Sequence, residues 1–176
     1  MADLKPYIKK LWGFEGTVYE NVPGDSGGPT KFGVIVGDLQ KLKMDENRDG
    51  VVDWKDIRDL SEPDAEIVVK KEYWDVVKAD QINNQSVAES LVDWGYNCGI
   101  YYAAKKVQEI LGLTADGNIG PKSLEAINSA NQEDLFNKIT AVRKQHYQDI
   151  VDKNPSQNKF LAGWLRRANS LSLIHI

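Results

Sequence analysis

Segment 14–33 reads Phe14-Glu15-Gly16-Thr17-Val18-Tyr19-Glu20-Asn21-Val22-Pro23-Gly24-Asp25-Ser26-Gly27-Gly28-Pro29-Thr30-Lys31-Phe32-Gly33, and the rest of the chain is organised around it. Its first two residues continue the apolar face of an amphipathic helix that begins with Leu4, Ile8, Leu11 and Trp12. The remainder is too rich in glycine, proline and asparagine to be helical. The pattern therefore predicts a helix that ends near Glu15 and a turn-rich loop that follows it.

Glu15 is the acid at the end of this helix, four residues after Leu11 and three after Trp12. A carboxyl group on the apolar side of a helix loses solvent, and desolvation favours its protonated form. A carboxylic acid that keeps its proton near neutral pH can protonate a leaving group. Glu15 is therefore a candidate general acid. The alternative is a capping or salt-bridged glutamate at a helix end.

The rest of the chain is predicted to be mainly α-helical. Ser61-Glu62-Pro63-Asp64 and Ser86-Val87-Ala88-Glu89 have the pattern of helix starts with a serine N-cap. Only the region from Thr30 to Val36 has a possible strand, and a short helix is predicted from Val34 onward. A long helix near the C-terminus is predicted to carry one apolar face, formed by Leu135, Ile139, Val142, His146 and Ile150.

The composition excludes several partners and chemistries. There are 26 acidic and 22 basic side chains, which gives a net charge of −4, whereas nucleic-acid binding needs a basic surface. The single cysteine, Cys98, rules out an intrachain disulfide and a cysteine-based zinc site. No apolar run of about eighteen residues is present that could span a membrane. Because His146 continues an apolar stripe and His175 lies in the tail, histidine-based nucleophilic catalysis lacks a base.

Carboxyl groups remain, and a pair of them can hydrolyse a glycosidic bond. Asp25 stands on the loop that must fold back over the helix end, and Thr30 offers a hydroxyl that could orient a water molecule or the sugar. Asp93 and Asn97 lie four residues apart on one predicted helix and could line the same cleft. The alternatives are a plain turn-forming role for Asp25 and helix capping or surface solvation for Asp93 and Asn97.

Segment 45–56 follows the calcium-binding pattern of an EF-hand loop. Gly50 at its sixth position makes the sharp turn, and alternate oxygen donors can converge on one hard cation. The twelfth position is Asp56 instead of glutamate, and the shorter acid favours weaker calcium binding or magnesium. The alternative is a solvated acidic turn. The predicted metal ligands are Asp45, Asn47, Asp49, Val51 through its backbone carbonyl, Asp53 and Asp56.

Several of these motifs resemble those of the glycoside hydrolase family 108 lysozymes, which are also described as N-acetylmuramidases or secretion activator proteins. In the first half they are Glu15-Gly16, the loop 25–33 and Tyr73-Trp74-Asp75. The second half is similar to the peptidoglycan-binding region of that family, and its matching residues include Asp93, Asn97, Gly99, Val107-Gln108, Leu111-Gly112, Asp116-Gly117, Ile119-Gly120-Pro121, Leu124 and Gly163-Trp164-Leu165. The resemblance runs from about Leu4 to Ala168. It implies a lysozyme-like fold and cleavage of the β-1,4 bond between N-acetylmuramic acid and N-acetylglucosamine.

The resemblance also implies roles for individual residues. The family's catalytic glutamate corresponds to Glu15, and the Glu, Asp, Thr arrangement of related phage lysozymes corresponds to Glu15, Asp25 and Thr30. The family motif Glu-Gly-Gly-Tyr is altered here to Glu15-Gly16-Thr17-Val18-Tyr19, so the tyrosine comes one place late. The expected substrate contacts are Tyr19, Trp74, Asp93 and Asn97.

Together, these features predict the organisation of the chain. We expect a catalytic region over residues 1–92 with the EF-hand-like insertion at 45–56, a peptidoglycan-binding helical region over 93–169 packed with the first, and a tail over 170–176. The expected partner is a peptidoglycan glycan strand, the expected metal is a structural calcium ion, and catalysis is expected to need no cofactor.

The expected location is the cell envelope, the periplasm or the extracellular space, and a prophage origin stays open. No signal peptide is visible in the first residues, so export needs another route or a leader that precedes them. Oligomeric state is left open. The alternative function is that of a non-catalytic peptidoglycan-binding protein or a calcium-responsive accessory to secretion.

Overall fold

The computed structural model describes residues 1–21 and 28–171. They are mainly α-helical, and none of their helices is both long enough and apolar enough to cross a membrane. The chain divides into two compact units. Unit A consists of Leu4–Glu72, and unit B consists of Met1–Asp3 and Tyr73–Ile176.

Unit A contains four helices and one small sheet within its described residues. They are α1 (Leu4–Glu15), β1 (Thr30–Lys31), β2 (Val34–Ile35), α2 (Val36–Leu42), α3 (Trp54–Asp59) and α4 (Glu62–Val69). A π-helical turn, Lys70–Trp74, follows α4.

Unit B contains five α-helices and two short 3₁₀ turns within its described residues. The helices are α5 (Gln85–Cys98), α6 (Ile100–Ile110), α7 (Pro121–Ser129), α8 (Gln132–Lys153) and α9 (Asn158–Ser170). The 3₁₀ turns are Ala79–Gln81 and Pro155–Gln157. The two compact units divide after Glu72, and the region boundary predicted between residues 92 and 93 lies within α5.

Helix α1 ends at Glu15, as the sequence predicts, and its buried side chains form one stripe. They are Tyr7, Ile8, Leu11 and Trp12, so three of the four apolar positions expected on this face are buried. The fourth, Leu4, is half-buried at the helix start.

The strand predicted between Thr30 and Val36 is present as a β-hairpin. Thr30 pairs with Ile35 and Lys31 with Val34, in antiparallel register. The two turn residues, Phe32 and Gly33, both have a positive φ, at 57° and 75°. Hairpins with two-residue turns favour this backbone because it matches the twist of the strands. The short helix predicted from Val34 therefore begins two residues later, at Val36.

Helix α5 begins earlier than its serine suggests. Its N-cap is Asn84, whose side-chain oxygen accepts a hydrogen bond from the backbone N–H of Val87 at 3.1 Å. Asparagine and serine are about equally good N-caps, so the pattern alone does not choose between them. The predicted capping pair Ser86 and Glu89 is instead buried within the helix, each with 1% of its surface exposed.

Helix α8 buries a face that includes polar side chains. Leu135 and Ile139 are buried as predicted, but Val142, His146 and Ile150 are only half-buried. The core positions that the apolar pattern does not reveal are Phe136, Arg143, Tyr147 and Val151. The prediction missed them because a buried arginine interrupts the apolar periodicity on which it was based.

Candidate functional site

Glu15 is a half-buried carboxyl at the C-terminal end of α1, and it lies against the hairpin turn. A Cβ atom placed on Gly33 would lie 2.8 Å from the Oε2 atom of Glu15 and 3.0 Å from its Cδ and Cγ atoms. Glycine is therefore needed at this turn both for its positive φ and for the close approach of the acid. The helix end and the hairpin together hold the Glu15 carboxyl in place.

The same hairpin is attached to α1 by an aromatic contact. The ring centroids of Trp12 and Phe32 lie 4.9 Å apart at an interplanar angle of 51°, and Phe32 is only 5% exposed. Aromatic pairs at this distance stabilise beyond the area they bury. Glu15 therefore sits beside a fixed aromatic contact between two elements of unit A.

Thr30 belongs to this hairpin and is half-buried. Its backbone exchanges two hydrogen bonds with Glu20, at 2.8 and 2.9 Å, so the segment after Glu15 returns to the hairpin at that point. Tyr19 immediately precedes Glu20 and is half-buried as well. Asp25, the second expected carboxylate, lies outside the described residues.

Asp93 is a buried acid held by two arginines of unit B. It is 0% exposed, and its oxygens lie 2.8 Å from Arg143 Nη2 and 2.8 Å from Arg167 Nη2. The arginines come from α8 and α9, so this carboxylate ties three helices together. The expectation that Asp93 lines an open cleft is corrected here, because burial between two ion pairs leaves it no surface for a substrate. Capping and surface solvation do not describe it either.

Asn97 extends the same network towards the surface. Its side-chain oxygen accepts hydrogen bonds from Arg143 Nη2 at 2.7 Å and from the Tyr147 hydroxyl at 3.3 Å. Burial raises the pKa of Tyr147 to about 12, so its hydroxyl stays a donor near neutral pH. Burial also raises the pKa of the Cys98 thiol. Arg143 and Tyr147 were missed, and their four-residue spacing on one helix face is the signal that could have indicated a joint role.

Trp74 is a core residue, with 2% of its surface exposed. A sugar ring stacks on an accessible aromatic face, and an indole this deeply buried offers none. The expectation that Trp74 contacts the substrate is therefore corrected. His146, in contrast, is the satisfied and partly buried histidine that its position in the helix suggests. Its Nδ1 lies 2.9 Å from the Tyr102 hydroxyl, and burial lowers its pKa.

The backbone of loop 45–56 is held by its own acidic side chains. Asp45 accepts hydrogen bonds from the N–H groups of Asp49 at 3.2 Å and Gly50 at 2.8 Å. Asn47 accepts from the N–H of Asp49 at 2.8 Å, and Asp49 accepts from that of Val51 at 3.0 Å. Gly50 has a φ of 87°, which confirms the sharp turn expected at the sixth position.

The remaining carboxylates of this loop also have partners within the protein. Asp56 is 0% exposed, and it accepts from the backbone N–H groups of Glu46 at 2.8 Å and Asp53 at 2.7 Å. The Lys55 ammonium lies 3.1 Å from Asp49 and 3.5 Å from Asp53, and its hydrogen bond lowers the pKa of Asp49. Within residues 1–21 and 28–171, no group of three or more His, Cys, Asp or Glu side chains is arranged to hold a metal ion.

Comparison with known proteins gives matches across most of the chain. Residues 8–99 match the family model described as Glycosyl hydrolase 108, and residues 102–169 match the model described as Predicted Peptidoglycan domain. The comparison with curated proteins gives no significant match. A solved structure titled "Structure of Brucella abortus SagA" is similar, with a TM-score of 0.75 and 22% identity over 96% of this chain and 95% of that chain. The mainly α, lysozyme-like fold expected from the sequence is thereby confirmed.

Proposed function

The chain belongs to the glycosyl hydrolase 108 family, and on that basis we propose that it cleaves the β-1,4 bond between N-acetylmuramic acid and N-acetylglucosamine, with Glu15 as the proton donor. Membership makes the protein a glycoside hydrolase, and the second matched model indicates peptidoglycan as its substrate. Because peptidoglycan lies outside the cytoplasmic membrane, an extracellular or periplasmic site of action follows.

The placement of Glu15 is the observation that supports this proposal most. Its carboxyl is half-buried between the end of α1 and the Phe32–Gly33 turn, where glycine makes room for it. A general acid must be held within reach of the glycosidic oxygen and partly shielded from water. Glu15 is partly shielded from water and is held against the hairpin turn within one compact unit, which suits this role.

Asp25 and Thr30 complete the proposed catalytic set. Thr30 lies on the hairpin that packs against α1, where its hydroxyl can orient a water molecule or the sugar. The assignment of Asp25 as the second carboxylate rests on the sequence of its loop and on the need of this chemistry for two carboxyl groups. Tyr19 and Asn97 remain proposed substrate contacts, since neither is buried.

The test compares wild type with Glu15→Gln on purified peptidoglycan. We expect wild type to release fragments whose new reducing ends are N-acetylmuramic acid, as shown by mass analysis after reduction. Glu15→Gln should fold normally and lose this activity, while Glu20→Gln, an exposed neighbour on the same segment, should keep it. Unchanged lysis by Glu15→Gln, or reducing ends of N-acetylglucosamine, would show the proposal to be wrong.

We also propose that loop 45–56 binds calcium as a structural ion. Its side-chain donors are oxygens, which suits a hard cation, and the loop backbone already makes the expected turn at Gly50. In the described arrangement the Lys55 ammonium lies within ion-pair distance of both Asp49 and Asp53, so a bound cation would compete with it for these carboxylates. Catalysis is proposed to proceed without a metal, through carboxyl groups alone.

A further inference from the structure

Two adjoining cavities of unit B share part of their lining. One has a volume of about 680 Å³ and the other about 320 Å³, and both are lined by Asn118 and Gly120. Ligand pockets typically measure about 300–1,000 Å³. We call the two cavities together the stem groove. Its other lining residues of interest are Lys78, Tyr101, Asp116 and Lys122.

The wall of the stem groove is fixed by a buried glutamine. Gln108 is 2% exposed, and its side-chain nitrogen donates to the Asn118 carbonyl at 3.0 Å and to the Ser123 hydroxyl at 3.1 Å. Its side-chain oxygen accepts from the Gly117 N–H at 2.8 Å. Because every polar atom of this side chain is used to hold the loop before α7, the groove is already formed before any ligand binds.

The charged groups that line the groove favour an anion. Lys122 lines the larger cavity and Lys78 the smaller one, and within the described part of the chain neither ammonium has a carboxylate at ion-pair distance. The one acidic lining residue, Asp116, uses its Oδ1 atom to accept from Gln108 at 2.9 Å and from the Asn118 N–H at 2.8 Å. The lining therefore carries two positive charges and one negative charge.

Two further features support the same sign of charge and the same kind of ligand. Helix α7 begins at Pro121 on the rim of the larger cavity, and its N-cap, Gly120, provides no side-chain acceptor. Helix N-termini attract negative charge. Tyr101 is 59% exposed and lines the smaller cavity, where its ring offers an apolar face between charged groups.

We propose that the stem groove binds the peptide stem of peptidoglycan, with stem carboxylates paired to Lys78 and Lys122. This proposal rests on the proposed function, in that peptidoglycan is taken as the substrate. The stem is favoured over the glycan because the sugar rings of stem-bearing peptidoglycan are uncharged and cannot form ion pairs with the two lysines. The stem carries free carboxylates, which can. The residues that line the groove fall between positions 76 and 123, far along the sequence from Glu15, the proposed proton donor.

The experiment measures binding of a synthetic peptide stem with free carboxylates by titration calorimetry, using the full-length Glu15→Gln protein. We expect saturable binding that weakens about tenfold for each of Lys78→Ala and Lys122→Ala, since a hydrogen-bonded charged pair contributes on this scale. Lys144→Ala is the matched control, because this half-buried lysine on α8 has no carboxylate at ion-pair distance within the described part of the chain and lines neither cavity. Far-ultraviolet circular dichroism checks that each variant folds.

Two other probes separate the stem from competing ligands. Neutral N-acetylglucosamine oligomers and inorganic phosphate should bind more weakly than the stem, and Lys78→Ala and Lys122→Ala should leave any residual binding of the neutral oligomers unchanged. Equal stem binding by the double lysine variant, or preferential binding of glycan or phosphate, would overturn the inference. Failure of the proposed function is distinguishable, because it would appear as absence of reducing-end release by wild type while stem binding persists.

Discussion

At the scale of single residues, Gly33 explains how the candidate acid is held in place. The glycine has a φ of 75° and leaves space that the Glu15 carboxyl occupies, so one residue serves both the hairpin turn and the acid. The sequence shows a Phe-Gly pair at this point but cannot show that an acid eighteen residues before Gly33 fills the space. That contact becomes visible only when the hairpin folds back on α1.

Gly33→Ala should therefore separate the placement of Glu15 from general stability. The new methyl group would lie 2.8 Å from Glu15 Oε2, so the carboxyl must move. A displacement of about 1 Å can cost about a hundredfold in rate, and a left-handed alanine costs about 1–2 kcal/mol in folding free energy. We expect both effects, measured by reducing-end release from peptidoglycan and by urea unfolding.

Gly50→Ala supplies the matched control for this experiment. Gly50 has a φ of 87° in the same unit, and a Cβ atom there would meet nothing within 4 Å. The Gly50→Ala variant should therefore lose about as much folding free energy as Gly33→Ala and keep its activity. If both alanine variants lose activity equally, or if Gly33→Ala remains fully active, contact with Gly33 does not position the acid.

At the scale of elements, the described part of unit B is fastened by one buried acid. Asp93 on α5 receives Arg143 from α8 and Arg167 from α9, and Tyr147 donates to Asn97 one turn along α5. Removing one member of a buried ion pair leaves an uncompensated charge, which is why such groups are hard to replace singly. The network therefore gives Asp93 a structural role, and its hydrogen bonds also hold the exposed Asn97 side chain in position.

The element that most needs a direct test is loop 45–56, where the Lys55 ammonium lies within ion-pair distance of Asp49 and Asp53. A ligand that binds only the folded state at about 100 times its Kd stabilises by about 2.7 kcal/mol, which corresponds to roughly 5–10 °C in Tm for a chain of this size. We expect calcium to produce such a rise in wild type and Asp45→Ala to abolish it. Thermal unfolding with calcium and with chelator measures the difference.

Two further variants make the loop experiment specific. Lys55→Met should increase the calcium-dependent rise in Tm, because Asp49 and Asp53 lose the competing ammonium. Asp59→Ala removes an exposed acid just outside the loop and should leave the rise unchanged. A calcium effect that survives Asp45→Ala, or none at millimolar calcium in wild type, would mean that the acidic segment is only a solvated turn.

At the scale of the whole molecule, the sequence predicted the helices and the turn that depend on local residue patterns. It missed the buried polar groups whose placement depends on a partner far away in the chain. The apolar stripe of α1, the short hairpin and the mainly helical class follow from periodicity and turn residues. The burial of Arg143 and Asp93 could not be read from the chain, because each is tolerable in a core only with the other present. Trp74 was misplaced for a related reason, since an aromatic side chain suits a core and a sugar site equally.

The pH dependence of stability should reflect groups that burial keeps neutral. Burial lowers the pKa of His146 from its usual 6.5, outweighing the opposite influence of Asp149, while Lys106 and Lys153 act in the same direction as burial. Below about pH 6.5 the unfolded chain therefore binds a proton at this histidine more readily than the folded chain does, and the free energy of unfolding decreases as the pH is lowered. Burial raises the pKa of Cys98 above its usual 9.0 and that of Tyr147 to about 12, so stability also falls as pH rises above about 9.

Stability should thus be greatest between about pH 6.5 and 9, with each full proton of difference worth about 1.4 kcal/mol per pH unit outside that range. Urea unfolding at about pH 5.5, 8 and 10.5 would measure the two limbs. His146→Phe should flatten the acid limb and leave the alkaline limb unchanged. Tyr147→Phe should reduce the slope of the alkaline limb, to which Cys98 still contributes, and it also loses the 2.7 Å hydrogen bond from Arg143 at every pH. Because His146 is the one histidine in the described part of the chain, an acid limb that keeps its slope in His146→Phe would contradict this prediction.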